Sequence, residues 1–237
     1  MLNLLRAHRN NNVSAHARKV LLISIPLPIM RGMYKKIFCT MILSGSVLLT
    51  SCAVVPPPKN TENLCSIFTE YPTWYWDTEN AARRWDVNIG TQMSIIYAES
   101  HFNADITPPR EKLLGFIPWF HPTTAFGYSQ ALDHTWRDYQ RNTTSYAANR
   151  NSFADSTDFI GWYTDSTRHA LHTDYLSAGD LYLAYHEGLA GYRAHSYLRK
   201  PWLVKLSEEV QWRANIYNAQ LETCSRRLPK KPWYWWG

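Results

Sequence analysis

Residues 1–51 contain no acidic side chain, yet they carry Arg6, Arg9, Arg18, Lys19, Arg31, Lys35 and Lys36. Directly after Lys36 comes an uncharged run from Ile37 to Leu49. That run is too short to span a bilayer comfortably, and a basic stretch followed by a short apolar run is the pattern of a secretory signal. What folds is therefore expected to be the remainder of the chain. The charge arithmetic changes with it. The whole chain has 25 basic and 19 acidic residues, a net +6, and removing the seven basic residues of the leader leaves 18 against 19, a net −1. A basic protein seeking a nucleic acid is thus excluded, because the positive surplus belongs to the export segment. Between Cys65 and Cys224 the balance is 13 basic to 18 acidic residues, a net −5.

The run ends in Leu49-Thr50-Ser51-Cys52, which resembles the bacterial lipobox. That resemblance implies a diacylated Cys52 at the mature N-terminus and a lipid membrane as one partner. It also favours the periplasmic face of the outer membrane, since Ala53 stands where inner-membrane retention uses Asp. The mature product would have 186 of the 237 residues. A second apolar run, Val20 to Ile29, is broken by Pro26 and Pro28, and a start at Met30 or Met33 gives a more ordinary leader. Residues 52–64, with Pro56-Pro57-Pro58, read as the lipidated cysteine and an extended tether. Export permits disulfides. Cys39 lies in the leader and Cys52 carries lipid, so Cys65 and Cys224 are expected to pair and staple the two ends of the domain 65–224.

Within that domain helical spacing dominates. Trp74, Trp76, Ala81, Ala82 and Trp85 suit an amphipathic helix from Tyr71 to Asn88, and Asp86 to Gly90 reads as a break. Thr91 is expected to cap a second helix that runs to Glu99. Residues 103–124 hold four prolines and read as a long loop, a length that is usually functional. Further helices are predicted at 130–140, 155–172, 178–192 and 201–222, the last with Pro201 in its first turn. Period-2 patterns are scarce, so the fold class is all-α. The tail 225–237, basic and aromatic, is expected to lack fixed structure.

Three short segments carry the chemistry. Glu99-Ser100 ends an apolar helix in which Ile95, Ile96 and Ala98 offer the carboxylate no partner; desolvation there would raise its pKa and make it a proton donor. Phe126-Gly127-Tyr128-Ser129-Gln130 places a glycine, which lets a backbone approach a ligand closely, before a polar and aromatic cluster. Ala184-Tyr185-His186-Glu187-Gly188 repeats that combination. In this order on a helical chain, the three resemble the lysozyme-like lytic transglycosylases of the SLT domain group, with their Glu-Ser, Gly-Leu-Met-Gln and Ala-Tyr-Asn-x-Gly elements. The resemblance covers about Ala82 to Leu221. This sequence departs from the pattern at Tyr128, Ser129 and His186, and in a longer loop between the catalytic helix and the Gly-Tyr-Ser-Gln element.

The resemblance implies a lysozyme-like fold and peptidoglycan glycan strands as substrate, cut at the N-acetylmuramic acid to N-acetylglucosamine β-1,4 bond. Glu99 would act as acid and then base, with no cofactor and no metal. Ser100, Phe126, Gly127, Tyr128, Ser129, Gln130, Tyr185, His186 and, from the last helix, Tyr217 would bind the sugar. The loop would form a wall or lid. A lysozyme-type hydrolase is the nearest alternative and would need a second carboxylate, with Asp105, Asp133 and Glu187 as candidates. A non-catalytic glycan-binding envelope lipoprotein is the other. His169 and His172, at helical i, i+3 spacing, lack the third ligand of a recognised zinc motif, and His186-Glu187 lacks the second histidine.

Overall fold

The computed structural model describes residues 55–108, 112–113, 117–118, 123–233 and 235, all within one compact unit, Ala53–Gly237. The expected leader, the expected lipidation site Cys52 and the expected starts at Met30 or Met33 lie outside the described residues. Seven α-helices carry the fold: α1 Leu64–Glu70, α2 Pro72–Trp85, α3 Ile89–Ser100, α4 Asp133–Thr143, α5 Phe153–Leu171, α6 Ala178–Arg193 and α7 Pro201–Cys224. Short 3₁₀ turns at Ser196–Arg199 and Ser225–Arg227 flank α7. Among the described residues no helix is long and apolar enough to cross a membrane. The architecture is the expected all-α one. Among the described residues the departure is a minimal hairpin in the predicted loop, where β1 (Lys112–Leu113) pairs antiparallel with β2 (Ile117–Pro118), Lys112 opposite Pro118. The rest of residues 109–122 lies outside the described residues, and so does most of the wall expected there.

Helix starts follow local chemistry. Asn63, Asn88, Ser152 and Ser177 each accept a backbone N–H from three residues downstream, satisfying one orphan donor of α1, α3, α5 and α6. Pro72 and Pro201 open α2 and α7, where the missing N–H costs nothing. The expected cap of α3 was Thr91. Instead Asn88 Oδ1 accepts both the Thr91 N–H at 3.0 Å and its hydroxyl at 2.8 Å, so the helix begins two residues earlier than Thr91. Asn outranks Thr as a cap because its carbonyl accepts both donors at once.

The helices pack around an aromatic core. Trp74 of α2 stacks on Phe153 of α5 at 3.9 Å between centroids, and Tyr128 meets both rings edge-on. Tyr139, Phe159, Tyr163 and Tyr185 continue the aromatic contacts toward α6. Much of the high aromatic content therefore fills the interior. The disulfide joins Cys65 of α1 to Cys224 of α7, as expected.

The tail also departs from expectation. The segment after Cys224 does not leave the domain: Leu228 is buried, the Trp76 indole N–H donates to the Pro229 carbonyl at 2.8 Å, and Trp235 packs against the Trp76 ring. Apolar side chains between the basic ones find an aromatic ridge on α2, and burying them outweighs the freedom of the tail. Trp233 still stands exposed.

Candidate active site

Glu99 occupies the last turn of α3, next to Ile95 and Ile96, both fully buried. The helix ends there because His101 and Phe102 adopt left-handed backbone angles. Burial pushes the Glu99 carboxyl up to about 8, and a hydrogen bond from the Tyr182 hydroxyl partly opposes that rise. At neutral pH the carboxyl is therefore mostly protonated and able to donate. Tyr182 on α6 is itself buried, and desolvation together with the Glu99 charge raises its pKa. Tyr182 lies just outside the Ala184 to Gly188 segment and is not among the residues expected from the sequence. The available signal was its i, i+3 spacing to Tyr185, which puts both phenols on one face of α6.

Tyr185 is the second phenol that feels the Glu99 charge. Its hydroxyl donates to the Ser129 carbonyl at 2.6 Å, tying α6 to the Gly-Tyr-Ser-Gln turn. That turn is built from its own backbone demands. Gly127 sits at φ +76°, and a Cβ there would meet the Arg150 carbonyl oxygen at 2.1 Å. The close approach anticipated for a ligand is thus made by the Arg150 backbone, whose carbonyl also accepts the Tyr128 N–H at 3.1 Å. The Gln130 amide donates to the Ile106 and Gly127 carbonyls at 3.0 and 2.8 Å, holding the turn against the chain that leaves α3. Ser129 is fully buried, and its hydroxyl has no hydrogen bond among the described residues.

Gln130, Tyr185 and His186 line one cavity of about 270 Å³. His186 is a third exposed and packs edge-on against Trp202, an exposed indole that sequence reasoning missed. Gly188 makes this possible: at φ 69° and ψ 164° it breaks the helical path of α6 just past His186 and Glu187. The break folds Glu187 back onto Lys200 at 2.6 Å and onto the Ser196 hydroxyl. Those bonds hold its carboxyl down at about 2.

Four predicted sugar contacts are placed elsewhere. Tyr128 is 1% exposed and belongs to the Trp74–Phe153 core, so it offers no ring face. Tyr217 is fully buried, and its hydroxyl donates to the Thr61 carbonyl, so it fastens the N-terminal segment to α7. Ser100 is buried with its hydroxyl on the Ile96 carbonyl at 3.1 Å. Phe126 lies half-buried under the Arg150 guanidinium. All four residue types suit a groove, but packing claimed each first. The fold sets Tyr182 and Tyr185 around Glu99, and Tyr185, bonded to the Ser129 carbonyl, shares a cavity wall with Gln130 and His186.

The second carboxylates of the hydrolase alternative are occupied or outside. Glu187 is tied to Lys200, Asp133 pairs with Arg150 at 2.7 Å, and Asp105 is exposed beyond the end of α3. Among the described residues no group of three His, Cys, Asp or Glu is placed to hold a metal.

No curated protein matches the chain. The model of the transglycosylase SLT domain family matches residues 40–224, most of its length. A single buried carboxyl at the end of a helix, a glycine turn fastened to a tyrosine and a kinked Ala-Tyr-x-x-Gly helix all fall inside the matched span, and the chain belongs to the transglycosylase SLT domain family.

Proposed function

We propose that the chain is an exported, lipid-anchored lytic transglycosylase that cuts the N-acetylmuramic acid to N-acetylglucosamine β-1,4 bond and leaves 1,6-anhydromuramic ends. The family acts on peptidoglycan by lytic transglycosylation. The observation that carries the finer reading is Glu99: one carboxyl, desolvated, raised to about 8 and held by one phenol. A glycosidase that uses water normally sets two carboxyl groups about 5–10 Å apart across the bond. Here burial and Tyr182 alone account for the state of Glu99, and the three other candidates are paired or exposed.

In this reading protonated Glu99 gives its proton to the glycosidic oxygen as the C1–O bond breaks. The substrate's own N-acetyl carbonyl stabilises the positive charge at C1. Glu99, now a carboxylate, then takes the proton of the muramic C6 hydroxyl while that oxygen bonds to C1. No water is added, and the acid is regenerated. Tyr182 fixes the carboxyl rotamer, and Tyr185 holds the glycine turn through Ser129. Gln130, through its uncommitted carbonyl, and His186, on the cavity wall, meet sugar polar groups, and Trp202 offers a stacking face. Cys52 carries the lipid, residues 53–64 tether the domain, and the outer membrane holds it on its periplasmic face.

Mass analysis of purified peptidoglycan digested by the protein tests the reading. Products one water lighter than hydrolytic fragments are expected, and reducing ends alone would overturn it. A second measurement probes Tyr182. Its hydrogen bond holds the Glu99 pKa below where burial alone would put it. Activity needs the protonated acid, so kcat/KM should fall as pH rises through about 8. In Tyr182→Phe that alkaline fall should move to higher pH, with a lower plateau because the rotamer is less fixed. An unshifted or acid-shifted fall would separate Tyr182 from Glu99.

A further inference from the structure

Asp77 is a buried acid that the Glu99 site does not use. It sits inside α2, 7% exposed, and its Oδ1 makes no hydrogen bond among the described residues. It lines a cavity of about 260 Å³ between α2, α4 and α5, which shares no lining residue with the Gln130–Tyr185 cavity. Such a space is several times the ~30 Å³ that one water occupies in the liquid. Asp77 lines that space while its Oδ1 is sealed from it, so Oδ2, which also makes no hydrogen bond among the described residues, is the oxygen left for a ligand; a buried carboxyl costs free energy unless a donor meets it.

The rest of the wall identifies the donor. Asp158 is already satisfied by Arg84 at 3.1 Å, by the Trp85 indole at 2.7 Å and by the Tyr139 hydroxyl at 2.8 Å. Among the described residues the Asp155 side chain accepts only the Asn149 N–H, at 2.9 Å, and its charge reaches Asp77. The cavity therefore presents two carboxyl groups without a cationic partner of their own. No three acidic or histidine side chains of the described residues converge closely enough for a metal ion. A group carrying several N–H donors and one positive charge fits better than a bare ion. The chain supplies an example: Lys231, from the segment folded back on α2, donates to Asn80 Oδ1 at 3.2 Å on the cavity rim, and Asp77 feels its charge.

We propose that this pocket binds a primary ammonium group, with Lys231 as the competing ammonium at its rim. The site is separate from the Glu99 chemistry and does not rest on that reading. Asp77 faces Asp155 and the Arg84-paired Asp158 from α5, Tyr139 from α4 and Lys231 from the C-terminal segment. Desolvation, then Asp155, push its carboxyl up to about 7 against the pull of Lys231, so the anionic form that holds an ammonium grows between pH 6 and pH 8.

The test is a nuclear magnetic resonance titration of the full chain with ethylammonium chloride, against ethanol as the neutral isostere and sodium chloride for ionic strength. Saturable shifts at the amides of Asp77, Ala154 and Asp155 are expected with ethylammonium alone, tighter at pH 8 than at pH 6. Asp77→Asn, which keeps the shape, should weaken binding by about tenfold or more, the factor of a single ~1.4 kcal/mol charge interaction. Lys231→Met, which removes the rim ammonium without touching the core, should tighten it when compared with the wild-type chain at pH 9, where Asp77 stays anionic despite the lost pull of Lys231. Shifts reproduced by ethanol or salt, no saturable shift in the wild-type chain, or weaker binding in Lys231→Met would each overturn the proposal. Asp77→Asn binding as well as wild type would do the same.

Discussion

Glu99→Gln should lose glycan cleavage by about 10²–10⁴-fold, the usual contribution of a positioned acid and base, and should at the same time fold more tightly than the wild-type chain. The two effects share one cause. The folded pKa of about 8 stands well above the ordinary value of 4.5, so the native state holds a proton that the unfolded chain releases between those pH values. Stability from Glu99 is therefore fully present below about pH 4.5 and is lost as pH rises through about 8. A shift of that size corresponds to about 3–5 kcal/mol, with the lower end favoured because the side chain keeps some contact with solvent. Glutamine keeps the shape and can still accept from Tyr182, but has no charge to desolvate. The difference in Tm between variant and wild type should be small at pH 4–5 and grow toward pH 9. Asp77 also rises, to about 7, but it is present in both proteins and cancels in the difference. Calorimetry at several pH values, alongside muropeptide release, checks both halves. A variant that cleaves normally would remove Glu99 from the chemistry. One that loses cleavage with a pH-independent stability difference would mean that its carboxyl is not desolvated.

The positions of the helices were legible because periodicity, proline and capping residues are local signals, and each is written within a few residues of the element it shapes. The desolvation of Glu99 was legible for the same reason, because an acid at the end of an apolar helix has no local partner, whereas its role rested on the family resemblance. What was not legible required knowing which surfaces meet. Tyr128 and Tyr217 carry the same phenol as Tyr182 and Tyr185, and only tertiary packing decides that the first pair is sealed in the core or bound to Thr61 while the second surrounds Glu99. The tail misled because basic residues alternate with apolar ones there. Composition favours solvent, but the Trp76 ridge that receives Leu228 and Trp235 lies some 150 residues earlier in the chain, its indole bond to Pro229 spanning 153 positions. Gly127 was read as letting the backbone approach a ligand, whereas what approaches it is the Arg150 carbonyl.

Replacing Cys65 and Cys224 together by Ser should be strongly destabilising, since Cys224 is part of the core and Cys65 packs against it. The bridge closes a loop with a sequence separation of 159. On the chain-entropy model a loop that long restricts the unfolded state by about 5 kcal/mol, near the top of the measured range of about 2–5. For a domain of this size 5 kcal/mol is a fall in Tm of roughly 10–20 °C. The loss should be uneven through the molecule. Helix α1 is short and depends on its seat against α7, where Leu64, Ile67 and Phe68 are fully buried. Its other ties are the Gln220 side chain, which accepts the Leu64 N–H at 2.7 Å, and, just before it, the Glu62–Arg213 ion pair and the Tyr217–Thr61 bond. These bonds keep α1 in place once it has docked, but they do not restrain the open chain, so without the bridge α1 should exchange its amide hydrogens faster while α3 and α6 keep their protection. Since Glu99, Tyr182 and Tyr185 lie on those two helices, cleavage well below the lowered Tm should persist and fail first on warming. Hydrogen exchange resolved by residue, combined with activity against temperature, checks this ordering. Equal loss of protection in α1 and α6 would show that the staple supports the whole domain, and an unchanged Tm would show that it supports none of it.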